Sequence, residues 1–156
     1  MDVIYAVKFV HLVAAGALFG GWLAIAAFMV FAHRSGNTSV VALTAQFVVW
    51  LEFGIVAAMV LMPLSGFPLG VAIGVAPDEF WLLVSVGIYC GLLVLWIGAV
   101  VVERRIRNLT REAAVKGAPL PDTYRKLFRV WLALALPILA AMLSLFLLMI
   151  WQPRVD

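Results

Sequence analysis

Charge is what this sequence has least of: Asp, Glu, Lys and Arg together make up 12% of its residues, against 66% hydrophobic ones. A water-facing globule of 156 residues cannot hide that much apolar surface, so a soluble enzyme or carrier is excluded before any motif is read. Cysteine occurs once, as Cys90 within an apolar run. No internal disulfide can form, and the residue reads as a small buried hydrophobe. Missing too are a phosphate-cradling glycine loop, a Cys/His zinc pattern and a serine nucleophile with a neighbouring base. Their absence argues against nucleotide-phosphate binding, a zinc module and hydrolysis. The net charge is +3, and most of the basic residues lie in one segment, between Glu103 and Arg129. That is the pattern of membrane topology, and no nucleic-acid partner is expected.

What remains is four long apolar stretches and a mean hydropathy of +1.14. They predict a single all-α membrane domain over residues 1–156, an integral membrane four-helix bundle of antiparallel up-down topology. The expected spans cover about residues 3–32, 40–63, 79–102 and 127–151. The first is too long for the core of a secretory signal and reads as a retained anchor. His33-Arg34-Ser35-Gly36-Asn37 ends it. After Pro63, the Ser65-Gly66-Phe67-Pro68-Leu69-Gly70 stretch is too rich in glycine and proline to continue a lipid-exposed helix. It should turn along the membrane surface or fold back into it, within an outer loop over 64–78. Pro77-Asp78-Glu79 reads as the capped start of span three, whose helix Arg104, Arg105, Arg107 and Arg111 prolong beyond the bilayer to a stop at Lys116-Gly117-Ala118-Pro119, and Asp122 or Thr123 as the cap of the last helix. A bend is expected near Pro137.

Arg104, Arg105, Arg107, Arg111, Lys116, Arg125 and Lys126 lie in the 103–126 loop and Arg34 in the first, while the second loop carries only Asp78 and Glu79. Loops one and three are therefore expected in the cytoplasm and both termini outside, periplasmic in a bacterial inner membrane. Trp81, Trp131 and Trp151, near helix ends, are read as interface anchors.

His11 is the sharpest chemical feature. An imidazole about two turns inside a membrane helix is costly unless paired, and it is also the commonest protein ligand of haem iron. Ala14 and Ala15, one turn along the same face, leave room for a flat macrocycle. Lys8, one turn before, can snorkel to the surface or meet a propionate or a lipid phosphate. A structural histidine bonded to a neighbouring helix is the other reading. His33 is about 33 Å further along the same helix, so the two cannot share one iron within a chain; it reads as a solvated interfacial residue. Antiparallel threading brings Met59, Met62, Met142 and Met149 to the depth of His11 as candidate second ligands, with a partner chain's His11 or a five-coordinate iron as alternatives.

Glu52 falls near the middle of span two, where a carboxylate should face the bundle interior and be protonated or partnered. A helical wheel puts it on one face with Val48, Ile55, Val56, Met59 and Pro63. It is either a proton relay or a structural acid bonded to a hydroxyl such as Tyr89, Thr44 or Ser144. Gly16-x-x-x-Gly20, extended by Ala17, Ala24 and Ala27, forms a small-residue stripe for close helix approach, within the bundle or between protomers of a homodimer.

The segment Lys8-Phe9-Val10-His11-Leu12 through Phe19-Gly20-Gly21-Trp22 and on to His33 resembles the opening helix of several groups of small bacterial membrane proteins. One is an uncharacterised family of predicted integral membrane proteins of about this length, which the Pro63-Leu64-Ser65-Gly66 step also resembles. Two others are the HemJ-type protoporphyrinogen oxidases and the CopD membrane domains, which share a helix-one histidine followed about ten residues later by a glycine, matched here by His11 and Gly21. The resemblance to the HemJ-type proteins implies a four-helix haem b protein with His11 on the iron. Those enzymes also use a lysine in a later span, and Phe80 to Val102 contains none. Copper transport calls for more clustered Met, His or Cys than the chain carries.

These readings predict a membrane cytochrome-like protein, possessing haem b and moving electrons to or from a quinone or another redox partner. Two other functions are kept beside it: a cofactor-free membrane assembly or transport subunit, and a HemJ-like protoporphyrinogen oxidase.

Overall fold

The computed structural model describes residues 3–153, and among them there are four helices and no strand. They are α1 (Val3–Ser35), α2 (Thr38–Ala72), α3 (Phe80–Val115) and α4 (Asp122–Trp151). Each is long and apolar enough to cross a membrane. The fold is an all-α four-helix membrane bundle, in which each helix packs on its neighbours in chain order and α4 closes back, more sparingly, on α1. Short connections make neighbours antiparallel. The start of α1, the end of α4 and the α2–α3 connection share one end, hereafter the terminal end. The basic residues gather at the other, the basic end.

One stripe of each helix faces the interior at three- to four-residue spacing: Leu18, Trp22, Ile25 and Met29 on α1, and Trp131, Ala135, Ile138 and Met142 on α4. The opposite faces stay apolar because lipid is their solvent, as at Phe9, Phe31, Leu43, Phe53 and Ile150. Cys90 belongs to this exposed set, so it is not the buried hydrophobe expected. With apolar surface on both sides, packing and hydrogen bonding hold the bundle together more than any hydrophobic gradient does.

Three boundaries differ from the sequence reading. The largest difference is α2, which runs unbroken through Pro63 and Pro68 to Ala72, where a loop was expected from residue 64. Proline at position 63 removes the N–H that would bond the carbonyl of Met59 four residues back. Tyr89 on α3 donates its hydroxyl to that same Met59 oxygen at 2.5 Å, so the orphaned acceptor is satisfied from the next helix. Ser65 is part of the same helix, its hydroxyl bonded back to the Leu61 carbonyl. The second difference lies at α3 and α4: Glu79 and Pro121 occupy their N-cap positions and neither makes a side-chain cap bond, so neither Asp122 nor Thr123 caps α4. By contrast Asn37 does cap α2, accepting from the N–H groups of Ser39 and Val40. The third is where the buried part of α3 ends: the helix runs on past residue 102 to Val115 with its arginines, as expected, but Glu103, assigned to the cytoplasmic segment, still lies on its buried stripe. Gly117, at φ +62°, supplies the left-handed turn that ends it. α4 passes through Pro137 as a continuous helix.

Two candidate sites inside the bundle

The first site lies toward the terminal end, between α1 and α2. His11 Nδ1 lies 3.0 Å from Ser65 Oγ, and the ring also rests against the backbone carbonyl of Met62. Ser65 Oγ lies 2.5 Å from the Leu61 carbonyl, its shortest contact. A hydroxyl donated there accepts from the imidazole, which would put the ring proton on Nδ1 and leave the lone pair on Nε2, for which no protein hydrogen bond is seen among the described residues. Gly66 makes this approach fit: a Cβ there would stand 3.1 Å from His11 Cε1. The continuation of α2 beyond Pro63 is thus what brings Ser65 and Gly66 to the histidine.

Around this site Ala14 is buried, Ala15 is half-buried and Lys8 is exposed. The four methionines separate. Met59 and Met142 are packed in the apolar core, Met149 is on the surface, and Met62 is half-buried on the α2 turn that His11 touches. Among the described residues no three His, Cys, Asp or Glu side chains gather as a metal cluster. A haem iron asks the protein for only one or two ligands, so this does not bear on His11.

The second site was half visible in the sequence. Glu52 is buried, 6% exposed, and its Oε2 accepts from Trp96 Nε1 on α3 at 2.8 Å. Beside it, within hydrogen-bonding reach, is Glu103 of α3, 2% exposed, whose Oε1 accepts from Trp131 Nε1 on α4 at 2.7 Å. Glu103 had been counted as the first residue of the cytoplasmic loop. It is instead an interior acid, because α3 does not stop there and position 103 falls on the stripe shared with Ala99, Ile106 and Thr110.

Several side chains take other roles than those expected. The donors to Glu52 are not hydroxyls: Tyr89 serves Met59 and Ser144 bonds the Ala140 carbonyl. Trp131 and Trp81 are buried rather than interface anchors, while Trp151 is exposed. On α2, Val56 and Pro63 fall off the buried face that Val48, Glu52, Ile55 and Met59 share. His33 stays partly exposed at the basic end, and beyond the expected interfacial role it bonds the Tyr124 hydroxyl at 3.0 Å and stacks on Phe128 at 3.9 Å between ring centroids. Gly16 and Gly20 face outward with open space at their Cβ positions, so the stripe packs nothing inside the bundle. The close approaches are at Gly21, against Ile55, and at Gly66.

The sequence could have signalled Ser65 and Gly66 only through their place after Pro63. Glu103, flanked by Arg104 and Arg105, carried no signal except its helical spacing from Ala99 and Ile106.

The sequence profile of a family described as "Predicted integral membrane protein (DUF2269)" matches residues 5–153. No curated protein and no solved structure matches the chain.

Proposed function

The chain belongs to this family of predicted integral membrane proteins, and from that premise we propose that it is a haem b protein of the bilayer with an electron-transfer or redox role, His11 being an axial ligand. One observation carries the reading: His11 Nδ1 lies 3.0 Å from a Ser65 hydroxyl that also reaches the Leu61 carbonyl, an arrangement that favours the proton on Nδ1 and a free Nε2. Haem-ligating histidines are oriented through the far ring nitrogen in this way. Small neighbours support it, since Ala14, Ala15 and Gly66 leave the imidazole accessible along the helix groove.

In this proposal each residue has a limited task. His11 binds through Nε2; Ser65 holds the ring plane; Gly66 permits the close approach; Lys8, exposed one turn away, meets a propionate. Met62, half-buried on the α2 turn beside His11, and the His11 of a second copy in a homodimer are the residues that would be candidates for a second ligand. Bound haem would supply a one-electron couple, exchanged with a quinone or a protein redox partner. The basic end faces the cytoplasm by the positive-inside rule, which puts His11 toward the periplasmic side of a bacterial inner membrane.

The absorption spectrum tests this. Protein from haem-replete expression should show a Soret band that His11→Ala abolishes and His33→Ala retains. A colourless wild type, or a full band in His11→Ala, refutes it. A second reading, a cofactor-free transport or assembly subunit, is favoured by the acid pair Glu52 and Glu103, which needs no haem. It predicts the colourless protein. Protoporphyrinogen oxidation has less support, because α3 carries no lysine within its apolar part.

A further inference from the structure

We propose that Glu52 and Glu103 together form one proton-binding site, with a single proton held between Glu52 Oε1 and Glu103 Oε2. These two oxygens are buried and have no donor of any kind, while the other oxygen of each carboxyl already takes an indole N–H, from Trp96 and Trp131. Two neighbouring carboxyls that each keep a buried acceptor without a donor are costly in a dry interior, and two ionised carboxylates there would be more so. One proton resolves both defects, giving a carboxylic acid that donates to the neighbouring carboxylate. The indole donors occupy one oxygen of each carboxyl, and the two oxygens left over are too few to coordinate a metal cation, so a proton is the fitting occupant.

The surroundings are nearly free of other titrating groups. From α1 the packed residues are Trp22, Ile25 and Met29, and Trp22 Nε1 is a further buried polar atom without a partner. Trp22 lies 6.4 Å, ring to ring, from Trp131 of α4. α2 brings Glu52 alone. α3 adds Arg104, exposed, whose charge acts on Glu52. α4 adds Trp131, with Arg129 exposed nearby in sequence; His33 and Tyr124 are bonded to each other further toward the basic end. Uptake forms one O–H bond from a proton delivered by water at the basic end, and release breaks it. No electron moves, and the site does not depend on the haem reading.

Infrared difference spectroscopy of the purified protein in lipid nanodiscs tests this. At neutral pH the wild type should show a protonated-carboxyl stretch with the intensity of one group, shifting in D2O. Glu52→Gln and Glu103→Gln should each move or remove that band, and the double variant should lack it. Trp96→Phe, which keeps both acids, should shift it by removing one indole donor. A wild type with no such band, an intensity of two groups, a band surviving the double variant, or a band unmoved by either single Gln variant overturns the proposal. If the Gln variants do not fold, the wild-type intensity and the Trp96→Phe shift still decide.

Discussion

Replacing Tyr89 with phenylalanine removes the hydroxyl that serves the Met59 carbonyl, the acceptor Pro63 leaves orphaned four residues later in α2. Leaving a buried carbonyl unsatisfied costs about 1–3 kcal/mol in water-soluble proteins. Side-chain hydrogen bonds inside membranes average about 0.6 kcal/mol and reach about 1.7 kcal/mol. Tyr89 is only half-buried, but its acceptor has no helical alternative, so the upper part of the membrane range applies: about 1–1.7 kcal/mol lost in Tyr89→Phe. A double-mutant cycle isolates the cause. In Pro63→Ala the new backbone N–H can close the bond to Met59, and Tyr89→Phe should then cost about 1 kcal/mol less than in the wild type. Reversible unfolding in mixed detergent micelles, followed by far-ultraviolet circular dichroism, gives all four values. Equal costs in both backgrounds would show that Tyr89 does not substitute for the missing helical bond, and the account of why α2 passes its prolines would fail.

Trp131→Phe should destabilise the bundle by about 2–4 kcal/mol in the same assay, since it strips a donor from buried Glu103 and leaves a void beside Trp22; Trp151→Phe, on the surface, should be silent. Gly66→Ala should push the His11 ring by a few tenths of an ångström and, under the haem proposal, broaden or weaken the proposed Soret band, while Gly20→Ala, with open space at its Cβ, should leave that band unchanged. Asn37→Ala should lose about 0.5–2 kcal/mol through the two N–H groups it caps, measured by the same unfolding titration. Gly117→Ala should cost about 1–2 kcal/mol for a left-handed residue with a side chain.

Much of the fold was legible because the signals are local. A span is an unbroken apolar run, and its polarity in the membrane follows from where Arg and Lys stand, so the four helices and the gathering of charge at one end could be read directly. The α2 boundary was misread for the same reason. Pro63, Ser65, Gly66 and Pro68 are helix breakers judged one by one, and the hydroxyl that serves the carbonyl Pro63 leaves orphaned comes from Tyr89, on another helix. His11 and Glu52 stood out as polar residues in apolar runs, whereas Glu103 was hidden among arginines.

The sequence alone determined that this chain lives in a membrane as four helices, because apolar length and charge position are properties of the chain itself. Only the tertiary structure decided which polar groups meet inside: Ser65 on His11, Trp96 on Glu52, Trp131 on Glu103, and the two acids on each other. Those pairings depend on the register and rotation of one helix against the next. Packing sets both, and no single helix carries that information.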